Sequence, residues 1–130
     1  MYSRYRYDAG QNILYMEAVA PVVFNTEEEL NRLYTELLDQ IKSLPAKPYM
    51  AVDLSGYTVS PRVANYHGEW MQNRILPAVL SFTRYGTPTP LNEISLRTQA
   101  VRRNYEVVIH PDRAAALAAI FKLKRAIPRH

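Results

Sequence analysis

Residues 26–54 constrain the fold more than any other stretch. Thr26 stands three residues before Glu29, so hydroxyl and carboxylate can each satisfy a free backbone amide in a capping box. Glu27, Glu28 and Glu29 place negative charge at the positive end of a helix. Leu30, Leu33, Tyr34, Leu37, Leu38 and Ile41 then recur at helical spacing and form one apolar face. This predicts a helix over 26–43, stopped by Pro45 and Pro48. The short apolar run Tyr49–Leu54 follows and reads as a strand buried on both faces. A helix that must bury one face, leading into a strand that must bury two, is the repeating unit of a mostly parallel sheet.

The rest of the chain extends this alternation. Ser3–Tyr7 alternates Ser, Arg and Tyr and reads as a strand. Asp8-Ala9-Gly10-Gln11-Asn12 is turn chemistry, and Ile13–Val19 is a second strand, so the chain opens with a hairpin. Ser60-Pro61 starts a helix that runs to Ile75, with Val63, Tyr66, Trp70, Arg74 and Leu76 along one side and Gly68 weakening its middle. Val79–Tyr85 is a strand. Asn92–Arg103 is ambiguous: Leu91, Ile94 and Val101 suit a helix, while Ile94, Leu96 and Thr98 suit a strand. Tyr105–Ile109 is a short strand, and His110-Pro111-Asp112 opens an Ala-rich helix to about Lys124. The expected class is α/β: a single-layer, mixed, mostly parallel β-sheet with flanking helices, in one domain over residues 1–130.

Composition removes several functions. The absence of cysteine excludes a thiolate nucleophile and every cysteine-based metal site. Four glycines occur, in neither the Rossmann nor the P-loop spacing. No apolar run has the form of a signal peptide or reaches the roughly 20 residues of a bilayer span, so a cytoplasmic protein is expected. Charge is polarised. Residues 26–43 carry Glu27, Glu28, Glu29, Glu36 and Asp39 against Arg32 and Lys42. Residues 97–130 carry Arg97, Arg102, Arg103, Arg113, Lys122, Lys124, Arg125 and Arg129 against Glu106 and Asp112. The basic end fits solvated helix termini, with an anionic surface as the alternative. Nucleic acid is disfavoured because no recognition motif accompanies the charge.

Candidate chemistry is sparse. His67-Gly68-Glu69 has the His-x-Glu form of nucleoside deaminases, but the Pro-Cys-x-x-Cys half of that zinc site is missing. His67 is therefore read as an exposed helix residue, His110 and Asp112 as a strand-to-helix turn, and the terminal His130 as uninformative. Asp53 ends a parallel strand, where ligands of open α/β sheets bind. It reads either as an active carboxylate or as an acceptor for the amides of Ser55 and Gly56. No nucleophile, base and orienter fall into a set, so no catalytic residue, metal or cofactor is assigned. Tyr2, Tyr5 and Tyr7 read as strand surface or as an aromatic contact patch.

The stretch Ala51-Val52-Asp53-Leu54-Ser55-Gly56-Tyr57-Thr58-Val59 resembles the third strand and following loop of sulfate-transporter and anti-sigma-factor-antagonist (STAS) domains, most of all the small single-domain bacterial members. Tyr105–Ile109 and Pro111-Asp112-Arg113-Ala114-Ala115-Ala116-Leu117 are similar to their last strand and helix. The resemblance in element order covers nearly the whole chain. It implies a STAS-like sheet flanked by helices and a non-catalytic regulatory module that binds a protein partner, such as a regulator or kinase. The family's antagonists carry a phosphorylated serine at the start of the helix after this loop. Here their Asp-Ser-Ser-Gly tetrad falls on Pro61-Arg62-Val63-Ala64, so the usual serine is missing, and Ser60 reads as a helix cap. The loop remains as an interaction surface, with Tyr57, Thr58, Ser60 and Arg62 as its expected exposed members. A homodimer through the opening strands is compatible with this. The alternative is a nucleotide- or lipid-binding domain with a pocket at the strand ends near Asp53, with Arg84 or Tyr85.

Overall fold

The structure is a computed structural model and describes residues 1–126; Arg129 and His130 lie outside the described residues. The opening hairpin pairs β1 (Ser3–Asp8) with β2 (Ile13–Ala18), antiparallel, from Ser3 opposite Ala18 to Asp8 opposite Ile13. Asn12 closes the turn at a positive φ of 56°, a conformation asparagine tolerates better than most residues. Its Nδ2 donates to the Lys47 carbonyl at 2.8 Å and so fixes the turn against the approach to a later strand.

After the short β3 (Val22–Phe24) comes α1 (Glu27–Lys42), with the capping box in place. Thr26 Oγ1 accepts from the Glu29 amide at 3.2 Å, and a Glu29 carboxylate oxygen accepts from the Thr26 amide at 3.1 Å. All six residues of the expected apolar face are buried. Then follow β4 (Tyr49–Asp53), β5 (Tyr57–Val59), α2 (Ala64–Trp70), β6 (Ser81–Tyr85), α3 (Pro90–Arg103), β7 (Ile109–His110) and α4 (Arg113–Ala126).

Five strands form the main sheet in the order β1-β2-β4-β6-β7, antiparallel only at β1–β2 and parallel elsewhere. The class is therefore as expected: mixed, mostly parallel α/β. A second, two-stranded parallel sheet of β3 and β5 has no counterpart in the sequence reading. Side chains alternate across the main sheet. Leu14, Met16, Met50 and Val52 face a core shared with α1, α2 and Leu96 of α3. Ile13, Tyr15, Tyr49, Ala51 and Tyr85 face a smaller core closed by Ala116 and Ile120 of α4.

Two local expectations need correction, and one ambiguity is resolved. The helix expected over 60–75 is broken. It begins as a 3-10 turn (Pro61–Val63), continues as α2, and widens into a π-helical segment (Met71–Ile75). Its buried stripe runs through Ala64, His67, Gly68, Met71 and Ile75 as well as Trp70, and Arg74 lies outside over the Trp70 ring at 4.5 Å. Gly68 is needed there: a Cβ would come within 2.5 Å of Arg103 Nε and 2.7 Å of Gln99 Oε1, where α3 crosses α2. The strand expected over Tyr105–Ile109 shrinks to Ile109–His110. The ambiguous 92–103 segment is helical, and it buries a polar face of Asn92, Ser95 and Gln99 with Leu96 and Ala100.

That polar face has a physical reason. Asn92 Oδ1 accepts from the Val59 amide at 2.8 Å, and Ser95 Oγ donates to the Val59 carbonyl at 2.8 Å. Side chains of α3 thus take the place of a neighbouring strand for β5. Replacing Asn92 by Leu raises helix propensity yet orphans the buried Val59 N–H. Asn92→Leu is expected to lose about 1–3 kcal/mol in urea unfolding, whereas Ile94→Gln on the exposed side of α3 stays within about 0.5 kcal/mol.

Candidate functional site

The segment after Gly56 divides at Ser60. Tyr57 and Thr58 were expected on the surface, but both are buried, at 5% and 7% exposure. The reason is β5: paired to β3, it carries these side chains inward. The Tyr57 hydroxyl is 2.6 Å from Ser3 Oγ, and its ring lies 6.5 Å from that of Phe24. Thr58 Oγ1 is 2.9 Å from Thr89 Oγ1, the residue that caps α3. Ser60 is half-buried, and its Oγ accepts from the Arg62 amide at 3.4 Å, as a cap. Arg62 is exposed. The turn Ser60–Arg62 therefore reaches solvent, supported from beneath by Tyr57 and Thr58.

The strand ends do not gather Asp53, Arg84 and Tyr85 into one pocket. Asp53 pairs in register with Tyr85, and Val52 with Arg84, so alternation puts Arg84 on the opposite face of the sheet from Tyr85. Asp53 Oδ1 accepts from the Ser55 amide at 2.9 Å, and Ser55 Oγ accepts from the Thr87 amide at 3.1 Å. Gly86 between them has φ of 100°, and a Cβ there would fall 2.5 Å from Asp53 Oδ1. The turn acceptor reading of Asp53 is the one this geometry supports. The strand order also has no reversal, so the topological switch point at which open α/β sheets form their crevice is missing among the described strands.

Tyr85 instead lines a cleft of about 280 Å³ on the α4 side of the sheet, with Arg4, Arg6, Tyr15 and Arg113 among its other walls. Arg113 Nε donates to the Tyr85 hydroxyl at 3.2 Å, and the Arg6 guanidinium lies 4.2 Å from the centre of the Tyr15 ring. The basic C-terminal stretch does not form one patch. Arg97 pairs with Glu93 at 3.0 Å, Arg103 is held by Gln99, Gln72 and Asn65, and Lys124 donates to Gln11. Helices α3 and α4, which carry most of these cations, lie apart: α3 packs on α2 and β5, and α4 on the far face of the main sheet.

Arg84 belongs to a polar group in the core that the sequence reading missed. His67, expected to be exposed, is 6% exposed, and Arg84 is 7% exposed. Both line a cavity of about 40 Å³ with Tyr34, Asn92, Met71 and otherwise apolar side chains. Tyr34 hydrogen-bonds His67 Nδ1. Burial raises the Tyr34 phenol far above its ordinary value, so it stays protonated and donates to Nδ1. The His67 proton then sits on Nε2, which has no partner among the described residues. Burial pushes the His67 imidazole down to about 3, with the Arg84 and Arg103 charges adding to the effect. One signal of its burial was in the sequence: Ala64, His67, Gly68, Met71 and Ile75 follow helical spacing as well as the stripe that was chosen.

A depressed histidine gives a definite pH dependence. Above its ordinary value of 6.5, His67 is neutral folded or unfolded. Below that value only the unfolded chain takes up the proton, so folding stability is lost as the pH falls towards about 3. The slope approaches about 1.4 kcal/mol per pH unit. In denaturant midpoints measured between pH 7 and pH 5, His67→Gln is expected to flatten this fall. An unchanged slope in the variant assigns the acid sensitivity to other groups.

Neither a protein-family model nor a curated protein sequence matches this chain. Among solved structures, the fold is similar to that of a serine-to-glutamate variant of RsbS from Moorella thermoacetica. The likeness covers 96% of this chain and 99% of that one, with a TM-score of 0.63 and 15% sequence identity. RsbS is a STAS-domain protein of the anti-sigma-factor-antagonist kind, so the fold of this chain is STAS-like over nearly its whole length.

Proposed function

We propose that this protein is a non-catalytic regulatory module that binds a protein partner through the turn after β5 and the adjoining outer side of α3. The observation that carries this reading is the outer side of α3. Leu91, Ile94 and Val101 follow one another at helical spacing and are 43%, 60% and 82% exposed. Large apolar side chains grouped on a surface mark interaction sites. The 3-10 turn Pro61–Val63 packs beside α3, so Ser60 and Arg62 continue the same surface. Thr58 and Tyr57 act beneath it, Thr58 by holding the cap of α3 through Thr89. The STAS-like fold and its likeness to RsbS support a role of the anti-sigma-factor-antagonist type.

The surface also indicates the partner's chemistry. Arg102, beside Val101 on α3, and Arg62, on the turn packed against α3, are exposed and form no ion pair among the described residues. The fitting partner is a protein face with an apolar centre and an acidic rim. A strand-edge homodimer is compatible with this reading, because β1 is an outer strand. A nucleotide or lipid ligand is the weaker reading. The cavity and the clefts that Arg84 or Tyr85 line do not include Asp53.

The test is binding of the native partner, isolated on the wild-type chain, to two surface variants. Ile94→Asp and Arg62→Glu should each weaken the complex by about tenfold or more, at least 1.4 kcal/mol, while leaving the melting temperature near that of the wild type. Retained affinity in both variants would sink the proposed surface.

A further inference from the structure

We propose that the cleft on the α4 face of the sheet binds a small phosphate monoester, its phosphate held between the guanidinium groups of Arg6 and Arg113 beside the Tyr15 ring. This is independent of the partner-binding reading, because neither Arg62 nor any residue of α3 lines the cleft. It is also distinct from a strand-end pocket at Asp53, which does not line the cleft either.

The strand register sets up the site. Arg6 of β1 stands directly opposite Tyr15 of β2, so both side chains rise on the same face of the sheet. Helix α4 docks on that face through Ala116 and Ile120, and its first residue, Arg113, reaches the same ring. The guanidinium carbons of Arg6 and Arg113 lie 4.2 and 5.3 Å from the centre of the Tyr15 ring. Arg113 also lies 5.9 Å from the centre of the Tyr85 ring and donates through Nε to the Tyr85 hydroxyl at 3.2 Å. Both tyrosines are buried, and both arginines are exposed. Two guanidinium groups from distant parts of the chain thus rest on a fixed aromatic floor. A planar fork of donors laid on rigid rings gives up little freedom when it takes a ligand.

Both forks are open. Arg6 makes no ion pair and no side-chain hydrogen bond among the described residues, and Arg113 engages only its Nε. The carboxylates nearby are used elsewhere. Glu17, the one carboxylate on the wall, pairs with Arg4 at 3.0 Å. Asp112, next to Arg113 in the chain, accepts from the Ala115 amide at 2.9 Å at the start of α4. Arg4, Arg6 and Arg113 against Glu17 leave the cleft with an excess of positive charge.

Charge and shape then choose the ligand. A phosphate monoester carries about −1.5 to −2 charges at pH 7 and three strong acceptor oxygens. Its tetrahedral oxygens can each meet a different fork. A carboxylate brings less charge and two oxygens in one plane, which suits a single fork. The volume of about 280 Å³ lies at the small end of ligand pockets, which span roughly 300–1,000 Å³. A phosphate on a compact scaffold fits that space.

Phenyl phosphate is the probe, titrated at constant ionic strength into the isotope-labelled full chain and followed by NMR. The Nε–H signals of Arg6 and Arg113 should shift together and saturate with one dissociation constant. Arg6→Gln and Arg113→Gln should each weaken binding by about tenfold or more. Arg32→Gln removes the same charge from the exposed side of α1 and should leave the affinity within about twofold. Benzoate, a singly charged aromatic anion, should bind about tenfold or more weakly than phenyl phosphate. Shifts that never saturate, or an affinity that falls equally in Arg32→Gln, report a diffuse effect of charge and overturn the proposal. Benzoate binding as tightly as phenyl phosphate overturns the assignment to a phosphate. Amide signals remote from the cleft check that each variant is folded; if one is not, the two arginine signals of the wild-type protein decide.

Discussion

The rest of the structure depends on a limit of space on one face of the sheet. The parallel strands run β2, β4, β6, β7 in sequence order, and helices α1, α2 and α3 connect them on the same side. Four strands about 4.8 Å apart offer a face roughly 15 Å wide. Helices packed 8–10 Å apart cover that width with about two. Six buried residues of α1 and the stripe of α2 fill it. The third helix, α3, therefore packs on α2 and β5 rather than on the main sheet. Only α4 returns to the other face, where it covers the middle of the sheet and leaves the side towards β1 open as the Arg6–Tyr15–Arg113 cleft.

Displacing α3 reverses the usual polarity of a helix. Its inner neighbour is the strand β5, whose unpaired backbone needs hydrogen bonds more than it needs apolar cover. Asn92 and Ser95 satisfy the Val59 amide and carbonyl, and Gln99 holds the Arg103 guanidinium, which reaches across to Asn65 and Gln72 of the neighbouring element. Leu91, Ile94 and Val101 are left on the outside. The apolar outer surface and the polar inner face are thus two consequences of one placement.

This also explains which parts of the fold were legible in the sequence. Where an element packs on the main sheet, its apolar pattern states its place: the hairpin, α1 with its capping box, β4 and β6 were all readable. The STAS-like resemblance rested on 51–59 and 105–117, stretches that include β4 and the start of α4 but also β5 and the shortened last strand, and the fold agrees with it. Where an element packs on something polar, the pattern misleads. The apolar residues of α3 point outward, so its period looked equally like helix or strand. Strands β3 and β5 are three residues each and satisfy one another, too short for an alternation to show. Of the candidate site, Arg62 is exposed and Ser60 half-buried. Tyr57 and Thr58 are buried, and their membership in β5 was invisible. His67 and Arg84 were misplaced for a related reason, since polar residue types argue for exposure unless a specific core requires them.

A sequence specifies a fold when propensity, pattern and polar satisfaction agree, and places where they disagree without local compensation are where function is found. Here the disagreements converge. The π-helical widening of the second helix contributes Met71 and follows directly on the turn that carries His67; such widenings in helices are enriched at functional sites. The polar inner face of α3 contributes Asn92. The main sheet, apolar on this side through Leu14, Met16, Met50, Val52 and Phe82, is interrupted once by Arg84. All four residues line the same small volume. An apolar side chain at position 84 would avoid the cost of a buried cation altogether. The guanidinium packs on the Phe82 ring, and Arg84 also borders an open cleft that Glu106 lines, so this interruption of the apolar face sits at the edge of the core.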